Sequence, residues 1–288
     1  MLRLGNRQWS ALIAAVSATA GLAFGVPSAS AVTVGQLAQT PENACEVNPY
    51  DLVQPTVNSG NAYVVPSTGG VTTWTVTSWS TNRAADPPGQ SMALKFFRKV
   101  AEPTTFMVVA HEGPHSLVAG VNSFPANLTV KAGDVLGANV TGGGACGFTA
   151  PGENVLFLID SNLGDGQSAA FDTVDDTRLN VTASITPTSD FTLGKVKARK
   201  NGTATLRVTV PNPGQLRVAG KGVKGSPAGA VAAKQVPAGT TKVVIRAKGK
   251  KRKLLARNGR VKVTPKISFT PTGGKQSFVT RKVKLRRK

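Results

Sequence analysis

The sequence predicts an all-β protein made of two consecutive β-sandwiches behind an export signal. The first observation is that segments of β-branched, aromatic and alternating apolar residues recur along the chain, separated by clusters of turn-forming residues. The second is that a helical pattern occurs in one short segment, 250–257. The third is an abrupt change of charge near residue 187, which indicates a boundary between two units.

The formal net charge of +21 is distributed unevenly over the 288 residues. Residues 32–186 hold 6 Lys and Arg against 13 Asp and Glu, whereas residues 187–288 hold 27 Lys and Arg against one acid, Asp190. Hydrophobic residues make up 40% of the chain and charged residues 17%, a composition that excludes a long disordered polymer. The sequence therefore predicts an acidic unit joined to a strongly basic one.

Residues 1–31 have the pattern of a cleaved secretory signal. Arg3 and Arg7 form a positive start, apolar and small residues follow, and Ala29-Ser30-Ala31 offers the small residues preferred at a cleavage site. The alternative is an uncleaved membrane anchor, but Gly and Pro dilute the stretch below the roughly 20 apolar residues that a span requires. We expect a secreted, extracellular protein, free or retained at the cell surface, with no transmembrane span after cleavage.

The two cysteines, Cys45 and Cys146, both lie in the acidic unit. An oxidising compartment favours their pairing. Such a disulfide would close a loop of about 100 residues and stabilise the fold by roughly 4–5 kcal/mol. Two free thiols or a shared metal are the alternatives, although two sulfurs without clustered histidines make a poor zinc site.

The acidic unit, residues 32–186, contains seven segments with strand patterns. They are 61–66, 71–80, 91–98, 105–110, 127–131, 154–159 and 177–185. Short strands at this spacing, with turn clusters and no helices between them, are typical of a sandwich. We therefore predict a jelly-roll-like β-sandwich for this unit.

The basic unit, residues 187–288, shows a cleaner alternation. Leu206, Val208 and Val210 share one face of a predicted strand, while polar residues occupy the other. The segment 261–269 repeats this pattern with Pro265 inside it, which suggests an edge strand or a bulge. About seven short strands in about 100 residues predict a smaller immunoglobulin-like or fibronectin-like sandwich.

The densest basic cluster spans 248–262 and includes the helical segment. Leu254 and Leu255 are placed to dock the helix, and Gly259 to end it. The candidates for anion binding are Lys250, Lys251, Arg252, Lys253, Arg257 and Arg260. With one acid in the unit, self-repulsion has little internal relief, so we expect an anionic cell-envelope polymer or lipid surface as partner. Nucleic acid is the weaker expectation, because no aromatic residues alternate with the cluster.

Five segments carry a resemblance to a known class of proteins. They are DLVQPTVNSGNAYVVP (51–66), VKAGDVLGANV (130–140), DFTLGKVK (190–197), VTVPNPGQLRVAGKGVK (208–224) and FTPTGG (269–274). The chain resembles the secreted two-domain β-sandwich proteins of soil actinobacteria. The resemblance implies a jelly-roll-like unit followed by a Lys/Arg-rich immunoglobulin-like unit, and it brings no catalytic or ligand residues. A fold of this kind does not by itself determine function.

Two motif matches lack the context that their chemistry requires. Residues 111–115, HEGPH, match H-E-x-x-H, but the central Gly and Pro oppose a helix and we predict a hairpin turn. Residues 220–225, GKGVKG, match G-x-G-x-x-G, but no helix pattern or later acid follows and we predict an inter-strand loop. We therefore predict no catalytic residues, metal site or cofactor. The acids between 160 and 176 leave calcium binding open, because calcium prefers oxygen ligands.

These observations lead to two hypotheses for function. The first is a non-enzymatic exported protein whose basic unit binds an anionic surface polymer, while the acidic unit acts as a binding or interaction module. The alternative is a secreted carbohydrate-binding module that binds polysaccharide with Trp74, Trp79 and Tyr63 as an aromatic platform. Core packing is the competing interpretation of these rings, since Trp74 and Trp79 fall on opposite strand faces unless a bulge intervenes.

Overall fold

The computed structural model describes residues 31–39, 43–44, 49–84, 89–142, 145–150, 152, 155–227 and 233–287. The described residues are mostly β-strand with one short helix among them, which confirms the all-β class. Each sheet takes its strands from one side of Asp190 only. No helix in the described part of the chain is long and apolar enough to cross a membrane. The predicted signal falls almost wholly in residues 1–30, outside the described residues.

The part of the chain before Asp190 forms three sheets. Its strands are β1 (Val32–Gln36), β2 (Asn43–Ala44), β3 (Tyr50–Thr56), β4 (Thr73–Arg83), β5 (Ser91–Ala101), β6 (Thr105–Ser116), β7 (Gly120–Lys131), β8 (Val135–Thr141), β9 (Ala145–Thr149), β10 (Val155–Asp160), β11 (Ser168–Ala170), β12 (Asp172–Asp175), β13 (Thr177–Leu179) and β14 (Val181–Pro187). The sheet orders are β1-β14-β4-β7, β11-β6-β5-β8-β3-β10-β12 and β13-β9-β2.

Eight of these strands pair from the outside of the sequence inward. The first pairs with the last (β1 with β14), the second with the seventh (β3 with β8), the third with the sixth (β4 with β7) and the fourth with the fifth (β5 with β6). All four pairs are antiparallel. The chain is therefore a long folded-back ribbon that supplies strands to both larger sheets.

The main core lies between the four-stranded and seven-stranded sheets. Val76 and Ile185 come from the first sheet, Leu94 and Leu136 from the second, and all four are fully buried. Alternation produces this arrangement, because every second side chain of a strand points to the same face. A smaller core covers the opposite face of the seven-stranded sheet, where Phe106 packs edge-to-face against Phe171.

The part of the chain after Asp190 forms two four-stranded sheets, a two-stranded ribbon and the helix. Its elements are β15 (Thr192–Ala198), β16 (Thr203–Val210), β17 (Gly214–Ala219), β18 (Val223–Pro227), β19 (Ala233–Val236), β20 (Gly239–Ala247), α1 (Lys250–Asn258), β21 (Arg260–Val263), β22 (Lys266–Pro271), β23 (Ser277–Thr280) and β24 (Val283–Arg286). The sheet orders are β15-β16-β20-β18, β19-β17-β22-β23 and β21-β24.

The core of this second part lies between its two four-stranded sheets. Leu206, Val208 and Val210 are buried as predicted and Arg207 is exposed. Phe269 packs against them from the facing sheet. Gly225 marks how closely the sheets approach, because a Cβ there would lie 2.2 Å from Val218 Cγ1. Only glycine fits this position without displacing the opposite strand.

Four sequence predictions are corrected by the fold, the fourth being the outward face that alternation over 261–269 predicts for Ser268. Residues 111–115 lie within the strand β6, where bulges interrupt the pairing with β5, and they form no hairpin turn. The segment 61–66 contains only an isolated bridge at Val64. Pro265 separates two strands of different sheets, β21 and β22, so it does not lie inside one edge strand. Ser268, predicted to face outward, is buried.

Candidate anion-binding surface

The helix α1 carries most of the predicted anion-binding residues. Lys250, Lys251, Arg252 and Lys253 form its first turn, and no acid and no side-chain cap accompany them. Leu255 is buried and anchors the helix, whereas Leu254 remains 41% exposed. The helix ends at Gly259, whose φ of 63° is left-handed and suits glycine. The helix and its end point are thus confirmed.

The two remaining predicted residues lie beyond the first turn of α1. Arg257 lies in the last turn of α1, and Arg260 follows as the first residue of β21. Both side chains are exposed. The six predicted residues therefore belong to one helix and the strand that follows it.

A groove of about 780 Å³ runs beside the beginning of α1. Its charged lining consists of lysines only: Lys221, Lys248, Lys250, Lys251 and Lys262. Gly222 permits this approach, since a Cβ there would lie 2.4 Å from Lys251 Cγ and its φ is +74°. The Lys248 amide also donates to the Gly222 carbonyl at 2.8 Å. Residues 220–222 are thus the predicted inter-strand connection and form one wall of the groove, whereas residues 223–225 belong to the strand β18 and correct the rest of that prediction.

Cations oppose one another directly across the strands of this part of the chain. Four cross-strand pairs join residues of like charge, and all eight side chains are exposed: Arg207 with Lys242, Lys224 with Arg246, Arg260 with Arg286, and Lys262 with Lys284. Like charges directly opposite each other destabilise a sheet. A second groove, of about 710 Å³, lies over the first of these pairs and is lined by Lys195, Lys197 and Arg199 as well.

No carboxylate relieves this repulsion within the described residues. Every ion pair found there involves residues between Asp51 and Asp165, and no described Lys or Arg beyond Asp190 has a carboxylate within 4.0 Å. Asp190 itself is the only acid after residue 186. The basic surface is therefore uncompensated from within its own part of the chain.

The acidic part, by contrast, uses several carboxylates internally. Asp51 is fully buried and accepts hydrogen bonds from Lys95 Nζ at 2.6 Å, the Leu163 amide at 2.7 Å and Asn139 Nδ2 at 2.9 Å. Burial raises the pKa of the Asp51 carboxyl, and the Lys95 ammonium opposes that rise. Asn162, an oxygen donor within the segment 160–176 for which calcium binding was left open, accepts from Lys95 Nζ at 2.9 Å. Its oxygen already serves a cation of the protein.

The two histidines of the segment 111–115 bond to different carboxylates. His111 Nδ1 lies 2.7 Å from Asp165 Oδ1, while His115 Nε2 lies 2.7 Å from Glu112 Oε1. The His115 ring also stacks on Phe124, with centroids 4.1 Å apart. Among the described residues no group of three or more His, Cys, Asp or Glu is arranged to hold a metal. The match to H-E-x-x-H therefore has a strand geometry and two separate polar contacts.

The predicted aromatic platform is corrected by burial. Trp74, Trp79 and Tyr63 are 3%, 1% and 1% exposed, so none offers a free ring face to a sugar. Their polar atoms bond inside the protein: Trp74 Nε1 donates to the Pro66 carbonyl, Trp79 Nε1 to Glu112 and the Tyr63 hydroxyl to the Leu179 carbonyl. Burial also raises the pKa of Tyr63 above its ordinary value. The register shift between Val76 and Ser78 places both tryptophans in the core.

The predicted disulfide falls at the edge of the described structure. Cys45 lies outside the described residues, and the Cys146 side chain is not among those described. The residues that precede the two cysteines, Ala44 and Ala145, are cross-strand partners in the pair β2–β9. This register brings the sequence neighbours of both cysteines together and is compatible with the pairing, which stays a prediction.

Comparison with known proteins adds no assignment to this surface. No protein-family model matches the chain, and no curated protein matches it in sequence. The sequence shows that Lys221 and Lys284 are basic, but it did not place Lys221, in the connection 220–222, beside α1, or Lys284 opposite Lys262. Alternation in the tail could have indicated Lys284, but the position of Lys221 depends on a contact between distant segments.

Proposed function

We propose that the chain is a non-enzymatic binding protein whose basic part, residues 187–288, binds an anionic polymer. The observation that carries this proposal is the set of four opposed cation pairs with no carboxylate among them. An arrangement that lowers stability is explained if a polyanion occupies the surface and removes the repulsion. The lysine groove beside α1 adds four further cations, because Lys262 already belongs to one of the pairs.

Export would place the protein next to such a polymer. We propose that residues 1–31 direct secretion and that the basic part then holds the protein to an anionic polymer or lipid surface of the cell envelope, or acts in the extracellular medium. The acidic part would serve as the interaction module. The carbohydrate-binding alternative loses its support, because the three platform rings are buried and offer no face to a sugar.

The finer description of the fold belongs to the same proposal. We infer a jelly-roll-like sandwich for residues 32–186, which is supported by the first-with-last, second-with-seventh pairing of eight of its strands. For residues 187–288 we infer an immunoglobulin-like sandwich. Its two sheets have the strand order of that class, except that β18 and β19 come in exchanged order along the chain.

The test measures retention of the purified full chain on immobilised polyphosphate at increasing salt. We expect the double variant Lys250→Gln, Lys251→Gln to bind more weakly than the wild type. We also expect the apparent affinity of the wild type to fall by about tenfold or more when the salt concentration rises fourfold. The matched control is Lys99→Gln, Lys131→Gln, which removes two exposed lysines of the acidic part. Equal losses in both variants, or retention that is insensitive to salt, would refute the proposal.

A further inference from the structure

The two sides of the helix α1 carry different cations. The groove on one side is lined by five lysines and no arginine. The pocket on the other side has a volume of about 380 Å³ and is lined by three arginines and no lysine: Arg246, Arg252 and Arg287. Both hollows are equally free of carboxylates. The sorting of Lys and Arg is therefore a difference in hydrogen-bonding chemistry and not in charge.

The three arginines come from three separate elements. Arg246 lies near the end of β20, Arg252 in the first turn of α1, and Arg287 directly follows β24. Asn201 and Gly202 also line the pocket, and we call these two residues its floor. Asn201 forms an isolated antiparallel β-bridge with Arg287, and the Gly202 amide donates to the Arg286 carbonyl. The pocket is thus built by the tertiary fold, and no single segment contains it.

The floor is held in place by its own hydrogen bonds. Asn201 Oδ1 accepts from the Thr203 hydroxyl at 2.8 Å and from the Thr203 amide at 3.2 Å. The Leu255 side chain reaches within about 3 Å of where a Gly202 Cβ would lie, which seats α1 on this turn. The backbone beneath the arginines is consequently fixed by β16, α1 and the end of β24 together.

A guanidinium carries five N–H donors in a planar fork that matches two oxygens of an anion at once. An ammonium is a compact, strongly hydrated point charge without this geometry. One carboxylate offers two oxygens and is satisfied by one such fork, whereas a phosphoryl group offers three strongly charged oxygens. Three forks around one pocket therefore favour a phosphoryl group over a carboxylate. The pocket volume is at the lower end of the range for small-molecule sites, about 300–1,000 Å³.

We propose that the pocket of Arg246, Arg252 and Arg287 is a specific site for a phosphoryl group, the charged unit of a phosphate-containing polymer. The inference rests on the proposed polyanion binding for the source of that group, but the pocket is testable with free ligands. In this scheme the lysine groove attracts the polymer through charge, and the arginine pocket distinguishes phosphate from carboxylate.

The experiment titrates the full chain with inorganic phosphate, glycerol 3-phosphate or acetate at constant ionic strength, and isothermal calorimetry measures the affinity for each. The variant Arg252→Lys keeps the charge and removes the fork. We expect it to weaken phosphate binding by about tenfold, the loss typical of a charged hydrogen bond, without changing the binding of acetate. The matched control is Arg217→Lys, an exposed arginine of β17 outside the pocket, which should leave phosphate binding at the wild-type value.

The outcomes separate this inference from the proposed function. The inference is overturned if Arg252→Lys and Arg217→Lys bind phosphate with equal affinity. It is also overturned if the wild type binds phosphate and acetate with equal affinity, even when polyphosphate retention persists. Loss of phosphate binding in Arg252→Lys supports it, and that result stands if polyphosphate retention of the wild type fails. Because all three arginines are exposed, an unchanged circular dichroism spectrum is expected and verifies folding of the variant.

Discussion

Lys95 shows how strongly one buried charge can depend on its partners. Its side chain is 2% exposed, and Nζ donates all three of its protons: to Asp51 Oδ1, to Asn162 Oδ1 and to the Leu163 carbonyl. An isolated buried ammonium would be very costly, so this site exists only because each proton has an acceptor. The same contacts attach the connection after β10 to the centre of the seven-stranded sheet.

We predict that Lys95→Met lowers the free energy of unfolding by about 3–5 kcal/mol, because it leaves the Asp51 carboxylate buried without its counter-ion. Chemical denaturation followed by tryptophan fluorescence measures the loss. The control is Lys99→Met on the same strand, which removes a surface pair with Glu102 and should cost only about 0–1 kcal/mol. Similar losses for the two variants would contradict the assignment of Lys95 as a buried ion-pair residue.

Single residues also mark the limit of prediction from sequence. Alternation correctly placed Leu206, Val208 and Val210 in the core, because an isolated strand pattern decides which side chains share a face. The same reasoning gives no reason to bury Lys95, since its acceptors come from segments 44 and 67 residues away. It also leaves Trp79 ambiguous, because a register shift in β4 reverses the face that simple counting assigns.

The helix α1 is an element whose charge opposes its own stability. The first turn of a helix exposes amide groups and carries partial positive charge, so acids stabilise this end and cations destabilise it. Residues 250–253 are nevertheless all basic. Arg257, in the last turn, has the favourable position for a cation. This placement is expected if the first turn has been retained for binding an anion.

A pair of charge reversals on α1 tests that explanation. Lys250→Glu should raise the free energy of unfolding by about 0.3–1 kcal/mol at low salt, whereas Arg257→Glu should lower it by a similar amount. Both variants change the net charge equally, so the sign difference isolates the helix dipole from general repulsion. Lys250→Glu should at the same time weaken retention on polyphosphate. A stability change of the same sign in both variants would contradict the dipole explanation.

The boundaries of an element could be predicted where residues close in sequence determine its end. The helix was found because Leu254, Leu255 and Gly259 lie close together in sequence, and its end depends on a glycine conformation. The sequence predicts one strand over 261–269 because Val261, Val263, Ile267 and Phe269 all stand at odd-numbered positions, on both sides of Pro265. Alternation indicates which side chains are buried, but it does not indicate which strand lies next to the segment. The sequence pattern therefore does not show that β21 and β22, on either side of Pro265, belong to different sheets.

At the scale of the whole molecule, the turn 211–213 connects the two parts of the chain. Asn212 is fully buried there, and its side-chain amide makes four hydrogen bonds to residues outside this turn. Oδ1 accepts from the amides of Thr72 and Thr73 at 3.1 and 3.0 Å, while Nδ2 donates to the carbonyls of Thr73 and Thr188 at 2.7 and 3.1 Å. The residues Pro-Asn-Pro-Gly at 211–214 are typical of a turn, but they do not indicate this contact, because its partners lie up to 140 residues away.

We predict that Asn212→Ala lowers the free energy of unfolding by about 2–4 kcal/mol, because it leaves buried amide and carbonyl groups around Thr73 without partners. Asn212→Asp keeps the acceptor but places a second oxygen against the carbonyls of Thr73 and Thr188, so it should be at least as damaging. The control is Asn258→Ala, which changes an exposed asparagine at the end of α1.

If Asn212 couples the two parts, the urea-unfolding transitions measured by fluorescence and by circular dichroism will coincide in the wild type and diverge in Asn212→Ala. Coincident transitions with wild-type stability in Asn212→Ala would show that the two parts are held together by other contacts.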